Sequence, residues 1–82
     1  MPYIEQGRRS IILDQDDEVD TIGELNFWVT TSCLRYLNGT DMQYTDYNAI
    51  IGVLECAKLE FYRRAMAKYE DEKIKKNGDV YV

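Results

Sequence analysis

Two adjacent arginines, Arg63 and Arg64, stand beside Tyr62 and close to Glu60 in the sequence. A guanidinium group presents paired donors that match phosphate oxygens, and an aromatic ring gives a nucleotide base a flat surface for stacking. Neighbouring helix positions point about 100° apart, so one of the two arginines would face such a ligand, repeated by symmetry in an oligomer. The alternative is a solvated helix face on which Glu60 pairs with Arg64.

The same residue types recur near the start of the chain, as Tyr3, Arg8 and Arg9. They lie in a head that could close over a ligand as a lid. The helix group ranks first as a ligand site, because a rigid element loses less conformational freedom on binding.

The sequence lacks the residues that most familiar enzyme mechanisms use. With no histidine and two cysteines, the chain has neither the usual Cys/His zinc set nor a Ser-His or Cys-His pair. Glu55 lies beside Cys56 in an apolar stretch, where it either reaches solvent or pairs with an arginine such as Arg35. Both Cys33 and Cys56 are expected to be reduced and to pack as small apolar groups. We therefore expect no catalysis, no cofactor and no metal.

The composition describes a small acidic domain of 82 residues with 15 acidic and 10 basic side chains. Residues 1–41 hold eight acids and three bases, whereas residues 42–82 hold seven of each. Such a balance argues against duplex DNA as a partner. No signal peptide or membrane-length apolar run is visible, so we expect a soluble protein of the cytoplasm with no membrane partner.

The elements that must position these residues are predicted to be helices. A first helix over residues 21–37 begins with the capping-box pattern of Thr21 and Glu24, and Asn38-Gly39 favours a left-handed cap at its end. A second helix starts near Thr45 or Asp46 as the N-cap. It reaches either a break near Lys68 or the cap pair Asn77-Gly78.

The predicted fold is all-α: a small helical hairpin, with the two helices packed antiparallel, and an N-terminal arm. Residues 1–20 form the arm and an acidic linker, and residues 21–82 form the helical domain. For residues 1–13 an irregular arm, a short helix and an edge strand all stay open, with an arm or short helix preferred. Residues 50–61 are apolar around more than half of the helix, so we expect a homo-oligomer centred on them.

The run from Gly52 to Arg64, GVLECAKLEFYRR, followed by YED, KI and NGDVY up to Tyr81, resembles a family of small uncharacterised proteins encoded by bacteriophages and prophages. The resemblance covers roughly residues 21–81 and includes the opening Met-Pro-Tyr-Ile. It implies a viral or prophage origin and a compact helical domain, but no activity. Proline often stands in that family at the position of Lys68, which implies a helix break there.

Two functions follow as hypotheses. The first is a non-catalytic homo-oligomeric sink that sequesters a nucleotide immune signal of the bacterial host, with ligand residues Arg63, Arg64, Tyr62, Arg8, Arg9 and Tyr3. The second is a protein-binding module that blocks or caps a host or virion protein.

Overall fold

The computed structural model describes residues 2–15 and 18–81, and within them every regular element is helical. Helix α1 is Gln6–Gln15, α2 is Ile22–Asn38 and α3 is Tyr44–Phe61. A π-helical turn, Tyr62–Met66, joins α3 to α4, Ala67–Asn77, without interruption. The described chain therefore forms three continuous helices, which confirms the predicted all-α class.

The chain divides into two compact units, Met1–Tyr47 and Asn48–Val82. In the first unit α1 packs against α2. Ile12 on α1 is fully buried and Leu37 on α2 nearly so, and these are the two buried apolar side chains among the described residues. In the second unit no described residue is buried.

Residues 6–15 adopt the short helix that the sequence left open as one of its alternatives. The Glu5 carbonyl opens this helix by accepting the N–H groups of Arg8 and Arg9 at 3.1 and 3.2 Å. The predicted arm and linker fall within the first unit, and of their acidic stretch Asp16 and Asp17 lie outside the described residues.

The start of α2 confirms the predicted cap. The Thr21 hydroxyl accepts the N–H of Glu24 at 3.1 Å, while Glu24 Oε1 accepts the N–H of Asp20 at 2.9 Å. The Glu24 carboxylate thus reaches one residue beyond the N-cap position that the usual capping box serves.

The predicted left-handed cap at Gly39 is wrong, because Gly39 has φ −86° and ψ 1°. The Gly39 N–H donates to Tyr36 O at 3.1 Å and the Thr40 N–H to Leu37 O at 3.0 Å. These tight right-handed turns satisfy the last carbonyls of α2, so no residue there has to adopt a positive φ. The positive φ of this loop falls on Met42, at 57°.

The long helix begins at Tyr44, so its N-cap position lies two residues before Thr45 and three before Asp46, the two predicted caps. Tyr44 is already helical, and Asp46 Oδ2 accepts the N–H of Gln43 at 3.0 Å. Asp46 therefore serves the helix start from within the first turn and is not the N-cap, and Thr45 also lies inside the helix. The packing of α2 against α3 as a hairpin stays a prediction.

The break considered near Lys68 is absent, since the helix continues through Lys68 to Asn77. Its irregularity lies upstream, where the Ala67 N–H bonds to Tyr62 O, five residues back. The far end closes as the sequence predicted: Gly78 has φ 91° and donates its N–H to Ile74 O at 2.9 Å.

Candidate functional site

The π turn contains Tyr62, Arg63 and Arg64, the three residues that the sequence ranks first as a ligand site. A single π turn inside an α-helix is uncommon and is found frequently at functional sites, because it changes the direction of neighbouring side chains. The structure therefore places all three on the one irregular turn of the long helix.

Both arginines pair with the same carboxylate. Arg63 Nη2 lies 2.8 Å from Glu60 Oε2, and Arg64 Nη1 lies 3.8 Å from Glu60 Oε1. Their side chains are 69% and 71% exposed. Two cations thus share one anion, and the group of three residues keeps one net positive charge.

The Tyr62 ring is half exposed, and its hydroxyl donates a hydrogen bond to Glu70 Oε1, eight residues along the helix. This hydrogen bond and the negative charge of Glu70 raise the pKa of the Tyr62 phenol above its ordinary value of 10.0. At neutral pH the phenol is protonated and acts as a donor, so the bond holds the ring in a fixed orientation along the helix.

The head residues lie in the first unit and take part in contacts within it. Arg8 Nη2 donates to Glu24 Oε1 at 3.0 Å, to Asp20 Oδ2 at 3.4 Å and to the carbonyl of Glu18. The Arg8 and Glu24 side chains are 23% and 12% exposed, so this pair is largely shielded from water. Arg8 therefore ties α1 to the start of α2.

Arg9 has a similar structural role. Its Nε donates to Ile4 O at 2.8 Å, and its guanidinium lies 5.8 Å from the centre of the Phe27 ring on α2. This distance is within the range of a cation–π contact. Tyr3, by contrast, is exposed ahead of α1.

The sequence missed two partners of these residues. Glu70 bonds Tyr62 from a distance of eight residues, a spacing that an ordinary α-helix does not bring to one face. Glu24 was assigned to the cap alone, although it also receives Arg8. The sequence does contain a signal for the contact between Arg8 and Glu24, because a head with two arginines precedes an acidic helix start.

Glu55 and Cys56 are neighbours on α3, and both are exposed. Glu55 pairs with Lys58 at 3.1 Å and reaches solvent, one of the two alternatives that the sequence left open. Cys56 is exposed, contrary to the expectation that it packs among apolar groups. Cys33 is half-buried, and both thiols are free.

Comparisons with known proteins place the chain in a family. No curated protein matches it, and no solved structure matches it. No helix among the described residues is long and apolar enough to cross a membrane. Residues 1–80 match the profile of a family described as "Domain of unknown function (DUF6899)", which covers nearly the whole chain. The chain therefore belongs to the DUF6899 family.

Proposed function

We propose that this protein is a non-catalytic, homo-oligomeric binding protein that sequesters a small phosphorylated nucleotide on the turn formed by Tyr62, Arg63 and Arg64. The observation that carries the proposal is the sharing of one carboxylate, Glu60, by two well-exposed guanidinium groups. This arrangement leaves donor capacity and positive charge available on one turn of the helix.

A phosphate group fits this arrangement chemically. Each guanidinium carries more N–H donors than Glu60 can accept, and phosphate oxygens match the spacing of those donors. The half-exposed ring of Tyr62 offers an apolar surface for a base beside the cations. Because the backbone is already helical there, binding orders few additional groups.

Such a binder needs no turnover. In the cell of a bacterial host, a phage or prophage gains from an abundant protein that traps the nucleotide signals of immune systems. The acidic net charge of −5 favours a small anion held at a local cluster over a long nucleic acid. The contacts of Arg8 and Arg9 within the first unit assign them a structural role in this proposal, in place of a lid.

Thermal unfolding in the presence of cyclic and ADP-ribose-type nucleotides tests this function, since a ligand of the native state raises the melting temperature. Arg63→Ala and Arg64→Ala should each weaken binding, and loss of one charge-assisted contact corresponds to about 10- to 100-fold. The matched control is Arg35→Ala, which removes an exposed arginine from α2.

Glu60→Gln gives a test with the opposite sign. It removes the carboxylate that competes for both arginines, so it should strengthen nucleotide binding while the helix content by circular dichroism stays unchanged. If no nucleotide changes the melting temperature of the parent protein, the proposed ligand class is wrong.

The second candidate function is a protein-binding module. It is favoured by the exposure of large apolar side chains on α3, among them Tyr44 at 81% and Val53 at 67%. Large apolar side chains exposed on more than one side of a helix are typical of a segment that partners cover. Capture of one specific host or virion protein, lost on Val53→Asp and kept in Arg63→Ala, would favour this function over nucleotide binding.

A further inference from the structure

The helix of the second unit carries an apolar stripe made of Leu54, Ala57, Phe61, Ala65 and Tyr69. The successive spacings are three, four, four and four residues. Three-and-four spacing keeps residues on one face of an α-helix, but the three consecutive fours from Ala57 to Tyr69 drift away from that face. Between Phe61 and Tyr69 the stripe therefore has about one residue more than two turns of an ordinary α-helix contain.

The π turn absorbs that extra residue. In an ordinary α-helix, residues eight apart lie about 80° apart around the axis. Here a π turn lies between Phe61 and Tyr69, and its backbone hydrogen bond from Ala67 to Tyr62 spans five residues where an α-helix spans four, so two turns take up about one residue more than usual. The same geometry places Tyr69 over Phe61 and keeps the stripe on one face.

This stripe is exposed along its length. Phe61 is 71% and Tyr69 56% accessible, and Leu54, Ala57 and Ala65 are exposed as well. A helix face of this kind is stable when another helix covers it. The regular spacing, kept across the π turn, is typical of a surface that packs against a second helix.

We infer that the stripe binds a second copy of this chain in antiparallel orientation, with the two-fold axis between Arg63 and Arg64. In this register Ala57 lies within one residue of the level of Tyr69 of the second copy, and Ala65 lies within one residue of the level of Phe61 of the second copy. Each small side chain faces a large one, which is the arrangement that fills space between two packed helices.

Charges beside the stripe support the same register. Antiparallel helices bring like flanks together, and three acidic residues then lie within one residue of the level of a basic one. The three pairs, each formed twice by symmetry, are Glu55 with Lys73, Lys58 with Glu70, and Glu60 with Lys68. A parallel dimer in register would place each of these charges beside its own copy, which is repulsive.

The axis of this dimer also brings together the arginines of both copies. Arg64 of one copy lies next to Arg64 of the second, and Lys68 of the second copy competes with the arginines for Glu60. The resulting cluster of guanidinium groups forms a symmetric site for an anion. This last step rests on the proposed function, whereas the pairing of the helices does not.

Cross-linking tests the orientation and the register. In full-length protein with Cys33→Ser and Cys56→Ser, a single Arg64→Cys substitution should give a covalent dimer with a short bismaleimide, because packed helix axes lie about 8–10 Å apart. A single Lys58→Cys substitution should give none, because position 58 lies about 17 Å along the axis from its own copy. The reverse pattern, with Lys58→Cys cross-linked and Arg64→Cys not, would overturn the antiparallel register.

Sedimentation velocity tests the stripe with two matched alanine variants. Ala65→Glu places a charge in the dimer contact and should weaken dimerisation by about a hundredfold or more. Ala67→Glu places the same charge away from the stripe and should leave the dimer unchanged. Equal helix content in both variants by circular dichroism excludes unfolding as the cause.

The outcomes separate the two proposals. A parent protein that stays monomeric at tens of micromolar, or equal dimerisation of both alanine variants, overturns this inference. An intact dimer whose melting temperature no nucleotide changes overturns the proposed function and leaves the helix pairing standing.

Discussion

Tyr62 donates its phenol hydrogen to Glu70 across two turns of one helix, although eight residues separate them. The π turn between them makes this contact possible, since the Ala67 N–H bonds to the carbonyl five residues back and not four. A local change in backbone hydrogen bonding therefore decides which side chains share a face over the following turns.

We predict a pH dependence from this contact. The folded-state pKa of Tyr62 is raised, so the hydrogen bond stabilises the helix below the ordinary phenol pKa of 10.0, and the stabilisation is lost as pH rises through the folded pKa. Ultraviolet titration of tyrosinate, as the difference between parent and Tyr62→Phe, should give a midpoint above 10.0 for this residue. In Glu70→Gln the midpoint should return toward the ordinary value, and an unchanged midpoint would refute the assignment.

Arg8→Ala should destabilise the first unit by about 1–3 kcal/mol, because it leaves the shielded carboxylate of Glu24 without this charged donor. Urea unfolding followed by tryptophan fluorescence measures the loss, since Trp28 lies on α2 of the same unit. Arg63→Ala is the control: its ion pair with Glu60 is exposed and should contribute less than about 1 kcal/mol. Equal losses in the two variants would contradict the structural role of Arg8.

Thr21→Ala should cost about 1 kcal/mol, the usual value for an N-cap hydroxyl that accepts a helix N–H. Thr45→Ala should have little effect or a slightly stabilising one, since Thr45 lies inside α3 and alanine favours helix more than threonine. Thermal unfolding of both variants measures the two effects: Thr21 caps α2, whereas Thr45 was predicted from its residue type to cap α3 and lies inside that helix. A larger loss at Thr45 would contradict the observed start of α3.

Two glycines should respond to alanine with opposite signs. Gly52 lies inside α3 with open space where the methyl group of an alanine would lie, so Gly52→Ala should raise helix stability by about 0.5–1 kcal/mol. Gly78 closes the helix with φ 91°, where alanine is strained, so Gly78→Ala should lower stability by about 1 kcal/mol. Circular dichroism at 222 nm during thermal unfolding measures both, and a loss in Gly52→Ala would show that this glycine is needed for close packing.

Local signals in the sequence were sufficient for part of the fold. The pattern from Thr21 to Glu24 predicted the start of α2 because a cap depends on residues within one turn. Gly39 was assigned a left-handed φ from its residue type, but the carbonyls of Tyr36 and Leu37 accept N–H groups from a right-handed turn instead. The residue type of Gly39 indicated that a turn ends α2, but it could not indicate whether the backbone there is left-handed or right-handed.

The candidate site shows a similar division. Arg63, Arg64 and their carboxylate partner lie within one turn, and their proximity was readable from spacing. The contact of Tyr62 with Glu70 was not, because it depends on a π turn that ordinary 3.6-residue periodicity does not include. The roles of Arg8 and Arg9 depend on how α1 packs on α2, a tertiary contact that the short head sequence could not specify.

The lack of buried side chains in the described part of the second unit has a consequence for its dynamics. Without tertiary packing, local opening of a helix costs little more than the loss of its own backbone hydrogen bonds, so amide protons of an isolated chain exchange rapidly with solvent. In the dimer inferred above, coverage by a second copy would slow that exchange by mass action. The order of the long helix would then depend on protein concentration, and the cell's expression level would set how much of the protein is rigid.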